Sequence, residues 1–220
     1  AHGFGPYTNV ADLAARVALS IFGVIAVTAL VLHWRGLTLR NTARFAVAFS
    51  AGACFLKLLV LFAPDMPLGD ALFHAHRFQG VLAGNLYFTS TAPGGYAFPY
   101  APGLYVAAAP FAWLVSREMG DVYLLRTITT SADTIAGLLL YALATRAWSD
   151  RLAGAMAVAL YHLVPLSFRI LTVGNLTNAF AHSLSVVALA LTIAPSVRMP
   201  VSGATVALTL VLTAAFLSHT

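Results

Sequence analysis

The stretch RFAVAFSAGACFLKLLVLFA, residues 44–63, has the length and composition of a helix that crosses a membrane. A spanning helix needs about 20 predominantly apolar residues to cross a hydrocarbon core of about 30 Å. Between Arg44 and Ala63 the one charged residue is Lys57. This run therefore predicts an integral membrane protein.

The composition of the whole chain agrees with that prediction. Of its 220 residues, 60% are hydrophobic and 9% are charged, whereas a soluble domain carries about 25% charged residues. The net charge of +5 rests on twelve scattered Lys and Arg, which excludes the clustered basic surface of a nucleic-acid-binding protein. With six further apolar runs, the prediction is an all-α polytopic membrane protein with about seven transmembrane helices. The further runs are roughly residues 13–33, 101–116, 122–145, 152–170, 176–195 and 202–219.

Basic residues predict how the chain is oriented. The connector HWRGLTLRNTAR, residues 33–44, holds Arg35, Arg40 and Arg44. Because cytoplasmic loops carry an excess of Lys and Arg, we place this connector in the cytoplasm and the long loop 64–100 outside. Counting crossings onward then puts two arginines inside and three outside: Arg117 and Arg169 inside, and Arg146, Arg151 and Arg198 outside.

Two regions follow from this layout. Residues 1–43 are an extra N-terminal transmembrane helix with its basic connector, and residues 44–220 are a transmembrane module that includes the outward loop. Ordinary connections run about 4–6 residues, and longer ones are usually functional or disordered. Because the loop is rich in aromatic residues, we expect it to be ordered and functional.

The most ionisable part of that loop is GDALFHAHRFQGVLAGNLY, residues 69–87. In a helix, Asp70, His74 and Arg77 fall on one stripe, at spacings of i, i+4 and i+7. Apolar side chains fall on the adjacent stripe, so the pattern predicts a short amphipathic helix at the membrane interface. One interpretation is that the polar face simply meets water. The other is that it lines a functional cavity.

Several features occur in a fixed order along the chain. A span is followed by a loop with an early acidic residue, Asp70, then by the short amphipathic helix and a GNLY turn, residues 84–87. The segment YAFPYAPGLY, residues 96–105, leads into the next span. Two later helical segments complete the order: VYLLRTITTSADTIAGLLLYALATR, residues 122–146, and ILTVGNLTNAFAHSLSVVALAL, residues 170–191.

In this order of features, residues 44–220 resemble the GT-C superfamily of polytopic glycosyltransferases, which includes protein O-mannosyltransferases and aminoarabinose lipid A transferases. The resemblance implies an inverting transfer of a sugar from a polyprenyl-phosphate donor to an acceptor hydroxyl at the outer membrane face. It also implies that the partners are this lipid donor and the surrounding membrane lipids.

The resemblance assigns roles to particular residues. Asp70 would be the catalytic base, since a positioned base contributes about 10²–10⁴-fold to rate. Arg77 and His74 would hold the donor phosphate or orient Asp70, although interfacial polarity also explains the histidine. Lys57 is either a second phosphate contact or a residue that extends its ammonium to the interface. Three tyrosines of the loop would form the wall of a sugar pocket, namely Tyr87, Tyr96 and Tyr100.

No cofactor is implied. His74, His76 and Asp70 lack a further ligand at matching spacing, so no metal site is assigned, although a divalent cation stays open. Arg126 and Asp133 share a helix face and predict a structural network, and the crossing count puts Arg126 in the cytoplasmic half.

Two other functions remain open. The chain lacks the paired acidic motif of the GT-C enzymes, which favours an inactive structural subunit that would have other membrane subunits as partners. A small-solute transporter would instead carry its charges near the middle of the bilayer, where Asp133 and Lys57 are the candidates.

Overall fold

The computed structural model describes residues 41–86, 88–90, 97–115, 118–193 and 201–219. This part of the chain is helical apart from one pair of three-residue strands. The elements, in chain order, are α1 (Thr42–Leu61), α2 (Ala71–Leu82), β1 (Phe88–Ser90), β2 (Ala97–Pro99), α3 (Gly103–Ala108), a 3₁₀ helix (Ala109–Leu114), α4 (Glu118–Trp148), α5 (Arg151–Leu163), α6 (Pro165–Thr172), α7 (Leu176–Ile193) and α8 (Val201–Phe216).

The all-helical membrane class is confirmed. Within the described residues, four helical stretches are long and apolar enough to cross a membrane: Thr42–Leu61, Met119–Trp148, Arg151–Thr172 and Leu176–Ile193. Each coincides with a predicted run. The predicted run 13–33 and most of region 1–43 lie outside the described residues, and the predicted count of seven spans is not confirmed.

Two predicted runs form shorter helices than expected. The run 101–116 contains only the six-residue α3 and the six-residue 3₁₀ helix that follows it. Pro110 stands at the start of the 3₁₀ helix, and proline removes an amide donor and crowds the preceding turn of an α-helix. The last run, 202–219, forms α8, whose 16 residues are apolar but few for a span.

The described chain divides into two compact units. Unit 1 combines residues up to Pro67 with Thr134–Arg169, and unit 2 combines Leu68–Asp133 with Ile170–Thr220. In unit 1, α1 packs along α5. Polar contacts join its helices, with His162 Nε2 3.0 Å from Ser50 Oγ and Thr42 Oγ1 2.8 Å from the Tyr141 hydroxyl.

In unit 2, α7 packs against α8, and the short α3 packs against α2, α7 and α8. The Gly103 amide at the start of α3 donates to the Leu217 carbonyl at 2.6 Å, directly after α8 ends. A side chain at Gly103 would collide with Leu217 and with the Ser218 hydroxyl. The two strands pair antiparallel between α2 and α3, with Phe88 opposite Pro99.

Large apolar side chains are exposed along the candidate spans. Examples are Phe55 and Leu59 on α1, Ile135 on α4 and Leu189 on α7. The same helices also carry polar residues that are buried, among them Ser50 on α1 and Thr129 on α4. A surface of apolar side chains around a partly polar interior is typical of helices that meet lipid.

Candidate functional site

Asp70 lies at the N-cap position of α2 and is exposed. Its backbone is held at both ends: its amide donates to the Val173 carbonyl at 3.1 Å, and its own carbonyl accepts from the His74 amide at 3.0 Å. Its side chain makes no capping hydrogen bond to the helix. The predicted base is therefore a carboxylate that solvent reaches, on a backbone fixed by unit 2.

Two glycines allow this arrangement. Gly69 and Gly174 both have positive φ, at 50° and 84°, which side chains rarely tolerate. A Cβ on Gly69 would lie 2.5 Å from the Val173 carbonyl oxygen, and a Cβ on Gly174 would lie 2.5 Å from the Ala71 amide nitrogen. The turn between α6 and α7 thus touches the start of α2 backbone to backbone, and no larger residue fits there.

His74 lies behind Asp70 and is buried. Its Nδ1 is 2.7 Å from the Tyr105 hydroxyl, and its side chain also hydrogen-bonds the backbone of Gly174. Burial lowers the pKa of His74 from 6.5 to about 4, although the Asp70 carboxylate and the Gly174 hydrogen bond act in the opposite direction. The imidazole is therefore neutral at pH 7, and it joins α2, α3 and the 173–174 turn.

Aromatic rings surround the histidine. Tyr100 stands edge-on to Phe73, with ring centroids 5.3 Å apart, and lies 6.2 Å from His74. The ring centroid of Tyr105 is 6.0 Å from that of His74. Tyr100, predicted as part of a sugar pocket, is half-buried in this cluster. Tyr87 and Tyr96, the other two predicted tyrosines, lie outside the described residues.

Arg77 is buried one turn further along α2, and its Nη2 donates to the Leu86 carbonyl at 3.2 Å. The predicted charged stripe of α2 is therefore split. Asp70 is exposed at its start, whereas His74 and Arg77 lie on the buried side with Ala71, Ala75 and Phe78. The expectation that the three side chains line one cavity stays a prediction, and α3 packs against the side of the helix that carries His74. Phosphate binding by His74 and Arg77 stays a prediction.

Lys57 belongs to unit 1 and is buried within α1. Its predicted contact with the donor phosphate therefore stays a prediction. Asp133 and Arg126 are also buried, on α4. Among the residues that the structure describes, no three His, Cys, Asp or Glu side chains come together as metal ligands.

Sequence reasoning missed three residues of this region. Gly174 and Tyr105 hold His74, and Asp121 accepts a hydrogen bond from Gln79 Nε2 at 2.9 Å. The crossing count had placed Asp121 and Gly174 on the opposite side of the membrane from α2. No local signal in the sequence announces these contacts, since each joins segments far apart in the chain.

Comparison of the chain with protein-family models, with curated proteins and with solved structures finds no match.

Proposed function

We propose that this chain is a membrane glycosyltransferase of GT-C type. It moves a sugar from a polyprenyl-phosphate donor to an acceptor hydroxyl at the outer face of a prokaryotic inner membrane, where loop 64–100 lies. Asp70 takes the proton from the acceptor hydroxyl. The acceptor oxygen attacks the anomeric carbon from the face opposite the phosphate, and the polyprenyl phosphate leaves with the electrons of the broken bond.

The observation that supports this proposal is that Asp70 has an exposed side chain on a fixed backbone. A general base must reach its substrate and must be held in place. Asp70 is exposed, its side chain makes no capping hydrogen bond to α2, and its backbone is fixed by Val173 and by α2. The chain also places it soon after α1, a candidate membrane span, where a lipid-linked donor would lie.

The test is Asp70→Asn, which keeps the size of the side chain and removes its basicity. Transfer of radiolabelled sugar from polyprenyl-linked donors should fall by roughly 10²-fold or more, with donor binding little changed. Asp65→Asn is the matched control, because Asp65 is an exposed carboxylate a few residues earlier. If Asp70→Asn keeps the wild-type rate while the wild type is active, Asp70 is not the base.

A second candidate function is an inactive structural subunit that keeps the GT-C fold within a membrane complex. It is favoured by the burial of His74 and by the use of Arg77 in a backbone hydrogen bond, since two of the side chains predicted for the donor phosphate then support the fold. The two functions differ in one measurement: a structural subunit transfers no sugar from any polyprenyl-linked donor, and it co-purifies with other membrane proteins.

A further inference from the structure

Contacts between helix ends in unit 2 bear on how the chain crosses the membrane. Asp70 meets Val173 at 3.1 Å, Gln79 meets Asp121 at 2.9 Å, and Gly103 meets Leu217 at 2.6 Å. The start of α4 therefore lies beside α2, and the 173–174 turn before α7 lies beside the start of α2. The end of α8 lies at the start of α3. All these ends belong to one side of unit 2.

A membrane crossing between residues 101 and 116 is incompatible with these contacts. It would put Asp121 on the far side of the bilayer from Gln79. After the next two crossings, Val173 would also be on the far side from Asp70. Since the structure pairs both sets of residues directly, the chain must return to its starting side before α4 begins.

The length of Gly103–Leu114 also indicates that this segment does not cross the membrane. Six residues of α-helix and six of 3₁₀ helix rise about 9 Å and about 12 Å. Their sum, about 21 Å, falls short of the roughly 30 Å hydrocarbon core. Gly103–Leu114 is long enough to enter one leaflet and too short to cross both.

The surface of the segment is apolar and uncovered. Its large exposed apolar side chains are Trp113 at 80%, Leu114 at 56%, Val106 at 52% and Phe111 at 47% of their full area. A tryptophan at the end of an apolar segment is typical of the headgroup level, where its ring meets both acyl chains and water. In a chain with four candidate spans, a lipid surface is the partner that fits such a face.

We propose that Gly103–Leu114 is an interfacial membrane segment. It dips into the leaflet on the Asp70 side and returns to that side, with Phe111, Trp113 and Leu114 in contact with lipid at the boundary of headgroups and acyl chains. The start of α4 and the 173–174 turn are consequently on the Asp70 side. This inference goes beyond the proposed function and does not depend on sugar transfer.

Unit 1, taken by itself, supports the same crossing pattern. Thr42 at the start of α1 contacts Tyr141 near the end of α4, and α1 runs alongside α5. The start of α1, the end of α4 and the start of α5 thus lie at one end of this unit. Because α4 is one continuous helix of 31 residues, its own two ends lie on opposite sides of a membrane that it crosses.

Of the ten arginines from Arg35 onward, six fall on the side of the first connector and four on the Asp70 side, which is the same division as in the crossing count from sequence. The positive-inside rule assigns the first group to the cytoplasm, which keeps Asp70 outside. The six are Arg35, Arg40, Arg44, Arg146, Arg151 and Arg198, and the four are Arg77, Arg117, Arg126 and Arg169.

One consequence concerns Arg126. The count from sequence placed it in the cytoplasmic half, far from Asp70. It lies five residues after Asp121, about 7.5 Å along the α4 axis, and therefore belongs to the Asp70 side. Arg126 is buried in the same unit as Asp70.

Single-cysteine labelling tests the sidedness. In a Cys54→Ala background, intact cells are treated with a membrane-impermeant maleimide. Ala83→Cys and Ala147→Cys are matched references on the two sides, because both positions are exposed. Met119→Cys and Val173→Cys, also exposed, test the start of α4 and the turn before α7.

Both test positions should be labelled to the level of Ala83→Cys, while Ala147→Cys reacts only after the membrane is permeabilised. Protection of Met119→Cys and Val173→Cys, with Ala83→Cys labelled, means that the segment crosses, and it overturns the proposal. If Ala147→Cys is the only position labelled, the segment is still interfacial, but the protein has the opposite orientation in the membrane. That result would contradict the proposed function, which places Asp70 outside.

Fluorescence quenching tests the lipid contact independently. The protein with Trp34→Phe and Trp148→Phe, which leaves Trp113 as its one tryptophan, is reconstituted in lipids brominated near the headgroup or near the chain terminus. Bromine near the headgroup should quench Trp113 more strongly. Strongest quenching by bromine at the chain terminus overturns the proposal. Absence of quenching in both lipids also overturns it, because water or another subunit then covers the segment.

Discussion

At the scale of single residues, Asp70 and His74 differ in environment although they stand one helical turn apart. Asp70 is exposed and acts, in our proposal, as a base. His74 is buried among Tyr105, Tyr100 and the Gly174 turn, and is neutral at pH 7. The position of His74 at the contact of three segments makes it a structural support for the start of α2.

The buried histidine makes stability depend on pH. Its pKa is about 4 in the folded chain and 6.5 when exposed, so the unfolded chain binds the proton first. The buried neutral ring therefore makes its full contribution to the free energy of unfolding above pH 6.5. This contribution is lost as the pH falls to about 4, and the total loss is at most about 3 kcal/mol. We expect His74→Gln to flatten the fall of Tm between pH 7 and pH 4.5 in detergent.

His76→Gln is the matched control for this measurement, because His76 is exposed on the same helix. It should keep the wild-type dependence of Tm on pH. If His74→Gln and His76→Gln show the same slope, His74 is not buried as a neutral ring.

The hydroxyl of Tyr105 should matter for the same reason. Tyr105→Phe keeps the ring and leaves Nδ1 of His74 without the hydroxyl that lies 2.7 Å away. A buried polar group left without its hydrogen-bond partner costs about 1–3 kcal/mol, so the Tm should fall measurably. Tyr123→Phe, a half-buried tyrosine of α4 in the same unit, is a control for the loss of one hydroxyl. Equal Tm values for the wild type and Tyr105→Phe would contradict the hydrogen bond.

At the scale of elements, α2 is held by the close approach of its first turn to the turn between α6 and α7. The approach depends on the absence of a side chain at Gly174, where a Cβ would collide with the backbone of Asp70 and Ala71. The 3₁₀ helix after α3 shows a second effect of local chemistry, because Pro110 ends the α-helix and shortens a segment that composition alone made a span.

A pair of glycine substitutions distinguishes two causes of lost stability, namely collision of an added Cβ with its neighbours and strain of a backbone with positive φ. Gly84 and Gly174 both have positive φ, but a Cβ on Gly84 meets nothing within 4 Å. Gly84→Ala should cost only the strain, about 1–3 kcal/mol. Gly174→Ala should cost clearly more and should expose the amides of α2 to hydrogen exchange. Similar Tm values for the two variants would contradict the close packing of the turn on α2.

At the scale of the whole molecule, unit 1 and unit 2 each bury polar groups and expose apolar ones. This is the reverse of the surface of a soluble protein, in which a large exposed apolar area is a liability. The membrane is therefore the solvent that the outer surface requires, and four described helical stretches are long enough to cross it.

The lipid-facing surface of α1 can be tested with a charge. Ala51 is exposed near the middle of the helix, and Ala43 is exposed near its start. A lysine at the centre of a spanning helix costs about 2.5–3.5 kcal/mol for insertion, and much less near the end. Ala51→Lys should lower the fraction of protein that resists carbonate extraction from membranes, and Ala43→Lys should not. Equal extraction of the two would contradict a lipid-facing α1.

The sequence alone determined the membrane class and the positions of most helices. Helix α1 lies within two residues of the predicted run at both ends, and the helix predicted near Asp70 is α2. The length of an apolar run and the spacing of residues along a helix are local properties, and burial of backbone groups in lipid permits few structures other than helices. The sequence also predicted that the carboxylate of Asp70 lies at the start of this helix.

The tertiary structure alone decided which side chains of α2 are buried and which helix ends meet. His74 and Arg77 share a stripe with Asp70 in sequence, yet they are covered because α3 packs on that side of the helix. The residues that hold His74, Tyr105 and Gly174, belong to segments far along the chain. Contacts of this kind depend on the shapes of two separate surfaces, and neither segment carries a local pattern that specifies its partner.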